Sequence, residues 1–242
     1  MGEALAVLAD HPMYALNEQR LTTKIFVVVP TFNEAGNLPA LVRELLALPA
    51  PGLRLLVVDD ASPDGTGRLA DELAAASAGR IDVLHRTGPR GLGLAYVNGF
   101  RWALEHGADV VVQMDADFSH SPTDVPRLVE KLAEFDVAVG SRYVAGGRVD
   151  DQWGFGRLAL SRSANALTRT ILALKTRDTT SGFKAWRRSA LEAVDLGCIC
   201  SKGYLFMEEM AFISERLGLR ICEVPIYFAS RHAGQSKMSL GV

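Results

Sequence analysis

Two patterns of apolar and polar positions alternate along the chain: short, nearly unbroken apolar runs, and longer stretches where apolar residues return every three or four positions. The runs at 24–30 (KIFVVVP), 53–58 (LRLLVV), 81–85 and 109–114 (DVVVQM) read as strands, and such near-continuous apolar strands belong inside a parallel sheet covered on both faces. Between them lie three helical stretches. One runs from Asn37, a suitable N-cap with Pro39 in the first turn, to about Leu48; the second is opened by Asp64-Gly65-Thr66 and reaches Ala76; the third spans about 93–105. The resulting βαβαβαβ order predicts an α/β fold built on a doubly wound, mostly parallel sheet, in which ligands sit beyond the carboxyl ends of the strands. The second half predicts a helix over 122–134, a short strand at 136–140, a Gly-rich stretch at 146–156 and a helix over 157–174 with the apolar stripe Leu160, Ala164, Leu167, Ile171, Leu174. Further helices at 189–194 and 206–217 and a strand at 219–228 follow. Residues 1–23 carry no strong period and read as an N-terminal extension with a short helix near 3–8, so that 24–242 forms one domain.

Polar residues collect where the apolar runs stop: Thr31 to Glu34, Asp59-Asp60, Arg86, and Asp115 and Asp117. In extended chain, residues i and i+2 point the same way, so the carboxylates of Asp115 and Asp117 converge beyond the fourth strand as a candidate divalent-cation site. The plain alternative is an Asp-rich turn. Farther on, Arg142, Arg157, Ser161 and Arg162 surround the Gly-rich stretch. Arg157 and Ser161 are four apart and share a helix face, and a guanidinium beside a hydroxyl is phosphate-binding chemistry; a solvated basic face is the alternative. The segment 231–237 (RHAGQSK) suits a closing loop with Gly234 as hinge, or else a basic tail.

Composition narrows the classes. With 242 residues, 48% hydrophobic and 22% charged, the chain can bury one large core, and its formal charge of -2 supplies no global field for nucleic acid. Cys198, Cys200 and Cys222 lack metal-ligand spacing and read as reduced, buried thiols of a cytoplasmic protein. No basic n-region opens the chain, and no apolar run approaches the roughly 18 residues of a membrane span, so any membrane contact is expected from one side.

Taken in order, VVVPTFNEAGNL, LLVVDDASPDGT, RGLGLAYVNGF, QMDADFSH, VGSRY, TSGFKAW and RHAGQSKMS resemble the polyprenol-phosphate (dolichol-phosphate) mannosyltransferases, members of glycosyltransferase family 2 with the GT-A fold. The resemblance covers about residues 24–240. It implies a half at 24–119 that binds a nucleotide sugar, typically GDP-mannose, and a half at 120–242 that binds the acceptor and carries a C-terminal lid loop. Pro30, Phe32 and Glu34 offer an aromatic face and a carboxylate to base and ribose, and Asp59 and Asp60 can accept from a base N–H or sugar hydroxyls. By resemblance, Asp115 and Asp117 hold Mg²⁺ or Mn²⁺ against the diphosphate, with Ser119 where some members carry Gln. Arg142, Arg157 and Ser161 take the lipid phosphate, Glu209 rather than Glu208 contacts sugar hydroxyls, and Arg231 and Lys237 clamp the donor. Met207 stands where the family often has Gln.

The reaction so implied is metal-dependent transfer of mannose to a polyprenyl phosphate. A phosphate monoester, with a second pKa near ~6, is largely dianionic at neutral pH and needs no general base. Direct displacement inverts the anomeric centre and yields a β-linked product. UDP-glucose as donor or a non-polyprenyl acceptor is the alternative within the fold, and a nucleotide-sugar-binding protein without catalysis is the non-enzyme alternative. The lipid acceptor implies a peripheral position at the cytoplasmic face of a membrane, with a separate anchor subunit as a further partner. The 157–174 helix, with Arg157, Arg162 and Arg169 beside its apolar stripe, suits a headgroup interface and equally suits packing on the sheet.

Overall fold

The computed structural model describes residues 23–152 and 154–230, with side chains for all of these except Phe155 and Arg157. The expected helix near 3–8 and the segment carrying Arg231 and Lys237 lie outside the described residues.

A seven-stranded sheet in the order β3-β2-β1-β4-β7-β5-β8 organises the fold. β1 (Ile25–Thr31) lies parallel to β2 (Leu53–Asp59) and β4 (Val110–Gln113), and β2 lies parallel to β3 (Ile81–His85). β5 (Val137–Ser141) pairs in parallel with β8 (Ile221–Pro225). The two groups are joined by β7 (Lys184–Arg187), antiparallel to both β4 and β5 and absent from the sequence-based prediction. A small second sheet pairs β6 (Arg148–Val149) with β9 (Tyr227–Phe228). The strand expected at 219–228 is therefore two strands, the second of which leaves the main sheet. Pro225, which cannot donate to a ladder, ends the first, on the sheet's edge.

Alternation along β1 sends Val27 and Val29 into one core and Phe26 and Val28 into the other. Helices α1 (Leu38–Leu46), α2 (Thr66–Ala76) and α4 (Val125–Lys131) cover the first face through Leu41, Ala70 and Leu128. The opposite face is covered by α3 (Leu92–Glu105), α6 (Arg188–Ala193) and α7 (Phe206–Arg216) through Phe100, Leu191 and Met210. This is the doubly wound sheet the periodicity predicts. Asn37 occupies the N-cap position of α1 but caps no amide; its Nδ2 donates instead to Glu34 Oε2 at 2.8 Å. The helix expected from 122 begins as a 3-10 turn, Pro122–Asp124.

Helix α5 (Phe155–Leu172) does not pack its apolar stripe on the sheet. Leu160, Leu167 and Ile171 are 72%, 62% and 70% exposed, and only Leu174, beyond the helix, is buried. The helix is tethered instead by polar contacts of buried Asn165, whose Oδ1 accepts from the amide and hydroxyl of Thr179 at 3.0 and 2.8 Å. The thiols also depart from expectation: all three are free, but Cys198 and Cys200 are exposed and Cys222 is half-buried.

Candidate active site

Three non-glycine residues with positive φ follow closely on parallel strands: Asn33 (57°) after β1, Ala61 (55°) after β2 and Phe118 (61°) after β4. Such backbone costs energy and collects at functional edges. Here it turns the chain sharply at the one sheet edge where the polar residues gather.

Among the residues expected to meet the nucleotide sugar, Asp59 is buried and accepts from Thr31 Oγ1 at 3.2 Å and Ser62 Oγ at 2.6 Å. Asp60 pairs with Arg86 Nη1 and accepts from the Gly91 amide at 2.8 Å, fixing β2, the turn after β3 and the start of α3 to one another. Phe32 carries the Arg90 guanidinium 4.6 Å from its ring centre. Glu34 takes the Asn37 amide group, and Pro30 is the one half-buried residue of β1, followed by buried Thr31. Gly91 and Gly93 pack directly on the following polar segment: a Cβ on either would come within 2.4 Å of the carbonyl oxygens of Lys202 and Ser201.

In the acidic turn, Met114 and Ala116 both enter the core, while Asp115 between them is half-buried and Asp117 is buried. Tyr96 donates its hydroxyl to Asp115 Oδ1 at 2.8 Å, and the Ser119 amide donates to Asp117 Oδ1 at 3.0 Å. Burial first, and the Asp115 charge second, raise the Tyr96 pKa well above its usual value, so the phenol remains a donor. Gly182 leaves room for the carboxylate, since a Cβ there would sit 2.9 Å from Asp115 Oδ2. Among the described residues no three His, Cys, Asp or Glu side chains come together as a complete metal cage. Two carboxylates fit a hard cation that draws its remaining ligands from phosphate oxygens and water, the usual way a protein holds Mg²⁺ beside a diphosphate. Beside the turn, His120 is buried against Phe183 and Phe228, with ring centres 5.1 and 5.2 Å away. Burial lowers its pKa from 6.5 to about 4 and keeps it neutral.

Among the residues expected to take the acceptor phosphate, Arg142 follows β5 and binds Asp178 through its own amide (2.9 Å), Nε (2.8 Å) and Nη2 (2.7 Å). Nη2 also donates to Thr180 Oγ1 at 2.6 Å. The guanidinium lies 5.0 Å from the ring centres of both Tyr143 and Phe228, and the Tyr143 hydroxyl meets Ser161 Oγ at 2.8 Å. Arg142 and Ser161 are thus joined through Tyr143. Arg157 lies one helical turn before Ser161 on α5, and its side chain is outside the described set.

The two adjacent glutamates of α7 differ. Glu209, expected to touch sugar hydroxyls, accepts from the amides of Cys200 (2.9 Å) and Ser201 (2.7 Å). These bonds outweigh burial, which acts the other way, and lower its pKa. Its carboxylate is therefore a brace for the 200–202 segment that packs on Gly91 and Gly93. Met207 is buried, and its Sδ receives Gln113 Nε2 at 2.7 Å, which puts it between sheet and helix. Sequence reasoning missed Tyr96 and Asp178. Tyr96 sits inside the RGLGLAYVNGF segment as an ordinary core position, and Asp178 is marked only by pairing with a residue 36 positions away.

Residues 26–195 match the family described as Glycosyl transferase family 2. The chain is 47% identical over 221 residues to the polyprenol monophosphomannose synthase of Mycolicibacterium smegmatis, covering 91% of itself and 83% of that relative. It is 47% identical over 219 residues to the undecaprenyl-phosphate mannosyltransferase of Micrococcus luteus, covering 90% and 89%. The dolichol-phosphate mannosyltransferase of Pyrococcus furiosus is 37% identical over 219 residues, which span 89% of this chain and 59% of that longer protein. Among solved structures, the glucosyl-3-phosphoglycerate synthase of Mycobacterium tuberculosis in complex with Mn²⁺, UDP and glucosyl-3-phosphoglycerate superposes with a TM-score of 0.65 at 21% identity, covering 94% of this chain and 77% of that one. That likeness is one of fold, the GT-A arrangement. With a family match over most of its length and relatives nearly half identical across nine-tenths of it, the chain is a glycosyltransferase and belongs to glycosyltransferase family 2.

Proposed function

We propose that the protein transfers mannose from GDP-mannose to a polyprenyl (dolichyl-type) phosphate, with inversion and with Mg²⁺ or Mn²⁺ as cofactor. One observation carries the reading: the acidic turn and a half-buried guanidinium–tyrosine–hydroxyl cluster, chemistry suited to two phosphates, stand in a chain 47% identical to enzymes named for polyprenyl-phosphate mannosylation. Phe228 links the two places: its ring centre lies 5.2 Å from that of His120, three residues after Asp117, and 5.0 Å from the Arg142 guanidinium.

Asp115 and Asp117 would hold the cation, which neutralises the charge that builds on the departing diphosphate. Tyr96 fixes the direction of the Asp115 carboxylate, as outer-sphere hydrogen-bond partners commonly do for metal ligands. On the other side, Asp178 occupies Nε and Nη2 of Arg142, and no hydrogen bond among the described residues uses Nη1. That edge of the guanidinium is free to take an acceptor phosphate, with Ser161 and Arg157 as its neighbours. The acceptor arrives largely ionised, so positioning and charge neutralisation do the catalytic work. Phe32 with Arg90 offers a platform for the base, while Glu34, Asp59 and Asp60 shape the pocket around ribose and base. Arg231 and Lys237 remain the proposed diphosphate clamp.

No described helix is long and apolar enough to cross a membrane. We assign the exposed stripe of α5, with exposed Arg162 beside it, to the leaflet that holds the acceptor, at its cytoplasmic face, or to an anchor subunit there. The test is sugar transfer from a panel of nucleotide sugars to a short polyprenyl phosphate, with and without chelator. GDP-mannose should be the preferred donor, and chelation should stop transfer until Mg²⁺ or Mn²⁺ is restored. Preference for UDP-glucose, or transfer indifferent to chelator, would overturn the corresponding part of the reading.

A further inference from the structure

Between α5 and β7 the chain runs irregularly, and among the described residues 175–179 make no backbone–backbone hydrogen bond. Thr176, Asp178 and Thr179 are nevertheless buried, and buried backbone must find partners for its polar groups. Side chains from α7, β8 and α5 supply them. The amides of Lys175 and Thr176 donate to Glu215 of α7 at 2.9 and 2.8 Å. Those of Arg177 and Asp178 donate to the two oxygens of Glu223 on β8, at 2.8 and 3.0 Å. From the side of α5, Asn165 Nδ2 donates to the Arg177 carbonyl, and Asn165 Oδ1 accepts from the Thr179 amide at 3.0 Å.

The backbone of Asp178 is therefore fixed from two directions. The peptide entering it has its carbonyl taken by Asn165 and its amide by Glu223, and the peptide leaving it has its amide taken by Asn165. What this backbone carries is the carboxylate that forks onto Arg142 Nε and Nη2 at 2.8 and 2.7 Å. Paired bonds of this kind are directional, so a small shift of Asp178 misaligns both.

Both braces are also tied to the Arg142 side of the cluster. Glu223 is in register with Val139 of β5, three residues before Arg142. Asn165 lies one helical turn after Ser161, whose hydroxyl meets Tyr143. The arginine, its carboxylate and the hydroxyl beside it are thus held to one another through β5, β8 and α5.

Resting on the reading of Arg142 as a ligand of the acceptor phosphate, we propose that Asn165 and Glu223 are positioning residues for that phosphate. They hold the Asp178 backbone from opposite sides, and Asp178 in turn sets the plane of the Arg142 guanidinium. Glu215 anchors the same segment nearer the end of α5, at 175–176, and leaves the peptides on either side of Asp178 alone.

Steady-state transfer to a short polyprenyl phosphate, with acceptor and nucleotide sugar varied in turn, tests the assignment. Glu223→Gln preserves the size of the side chain but replaces one of its two acceptor oxygens by a donor. It should raise the KM for polyprenyl phosphate about tenfold, as loss of one charge-assisted hydrogen bond does, and leave the KM for the nucleotide sugar at the wild-type value. Asn165→Ala should do the same. In an Asp178→Asn background neither substitution should raise the acceptor KM further, because the link to Arg142 is already cut. Glu215→Gln should lower the melting temperature with the acceptor KM unchanged. If Asn165→Ala does not fold, Glu223→Gln decides by itself. Equal rises in both KM values, an acceptor KM unmoved in Glu223→Gln, or one raised as far by Glu215→Gln overturns the assignment. Arg142→Lys separates it from the reading beneath it: an acceptor KM unmoved there removes Arg142 from the acceptor site and both fall, while one raised there but not in Glu223→Gln overturns the positioning role alone.

Discussion

Arg142 and Asp178 form a fork-to-fork pair: Nε and Nη2 of the arginine lie 2.8 and 2.7 Å from the two carboxylate oxygens, and the Asp178 side chain is fully buried. Removing one member of a buried pair strands the other. Asp178→Ala should therefore cost about 3 kcal/mol in urea unfolding. It should also raise the KM for polyprenyl phosphate, because Arg142 is no longer held in register with Tyr143 and Ser161. A variant of wild-type stability would contradict the pairing.

Tyr96→Phe removes the hydroxyl from Asp115 while keeping the ring stacked on Phe206. Loss of such a supporting bond weakens metal affinity by about tenfold or more. Titrating transfer activity with Mn²⁺ should show the half-saturating concentration moving upward by that factor, with stability falling by only about 1 kcal/mol. An unmoved Mn²⁺ curve would detach Tyr96 from the cation.

His120 supplies a pH dependence. Its pKa is lowered from 6.5 to about 4 by burial, so the unfolded chain binds the proton more readily than the folded one. Its contribution is complete above 6.5 and is lost as the pH falls toward 4. The urea midpoint should drop across that window, above the range in which Asp136, held at about 2 by Arg220, begins to matter. His120→Phe should flatten the drop.

Serine at Leu160, Leu167 and Ile171 together should abolish co-flotation with anionic liposomes. The melting temperature should barely move, because exposed side chains away from special contacts contribute within about 0.5 kcal/mol each. Transfer to a short, water-soluble acceptor should persist. Undiminished flotation would mean that another surface meets the lipid.

Much of this was legible from residue order, and for identifiable reasons. β1, β2 and β4 are buried on both faces, so their apolar runs are unbroken and the polar residues that end them stand out. β7 was not legible: KAWR begins and ends in a charge, and only the structure shows that Lys184 is covered by α7. That Glu209 braces the 200–202 segment was equally hidden, since it depends on the amides of Cys200 and Ser201 reaching its carboxylate. The stripe of α5 was visible as a pattern, but a pattern has no direction. Burial alone distinguishes a core face from a surface one, and here it is the surface.

The antiparallel strand β7 also bears on how the molecule is assembled. Among the described residues it is the only strand joining β4, which leads into the acidic turn, to β5, which Arg142 follows, and it enters after both of these have been synthesised. During translation the first four strands can close a sheet of their own, but β4 keeps an unpaired edge until residues 184–187 emerge. An open edge of that kind invites pairing with other chains. Nascent chains stopped just short of β7 should thus be the aggregation-prone species, and the acidic turn and the Arg142 cluster should be brought together in a single late step rather than one after the other.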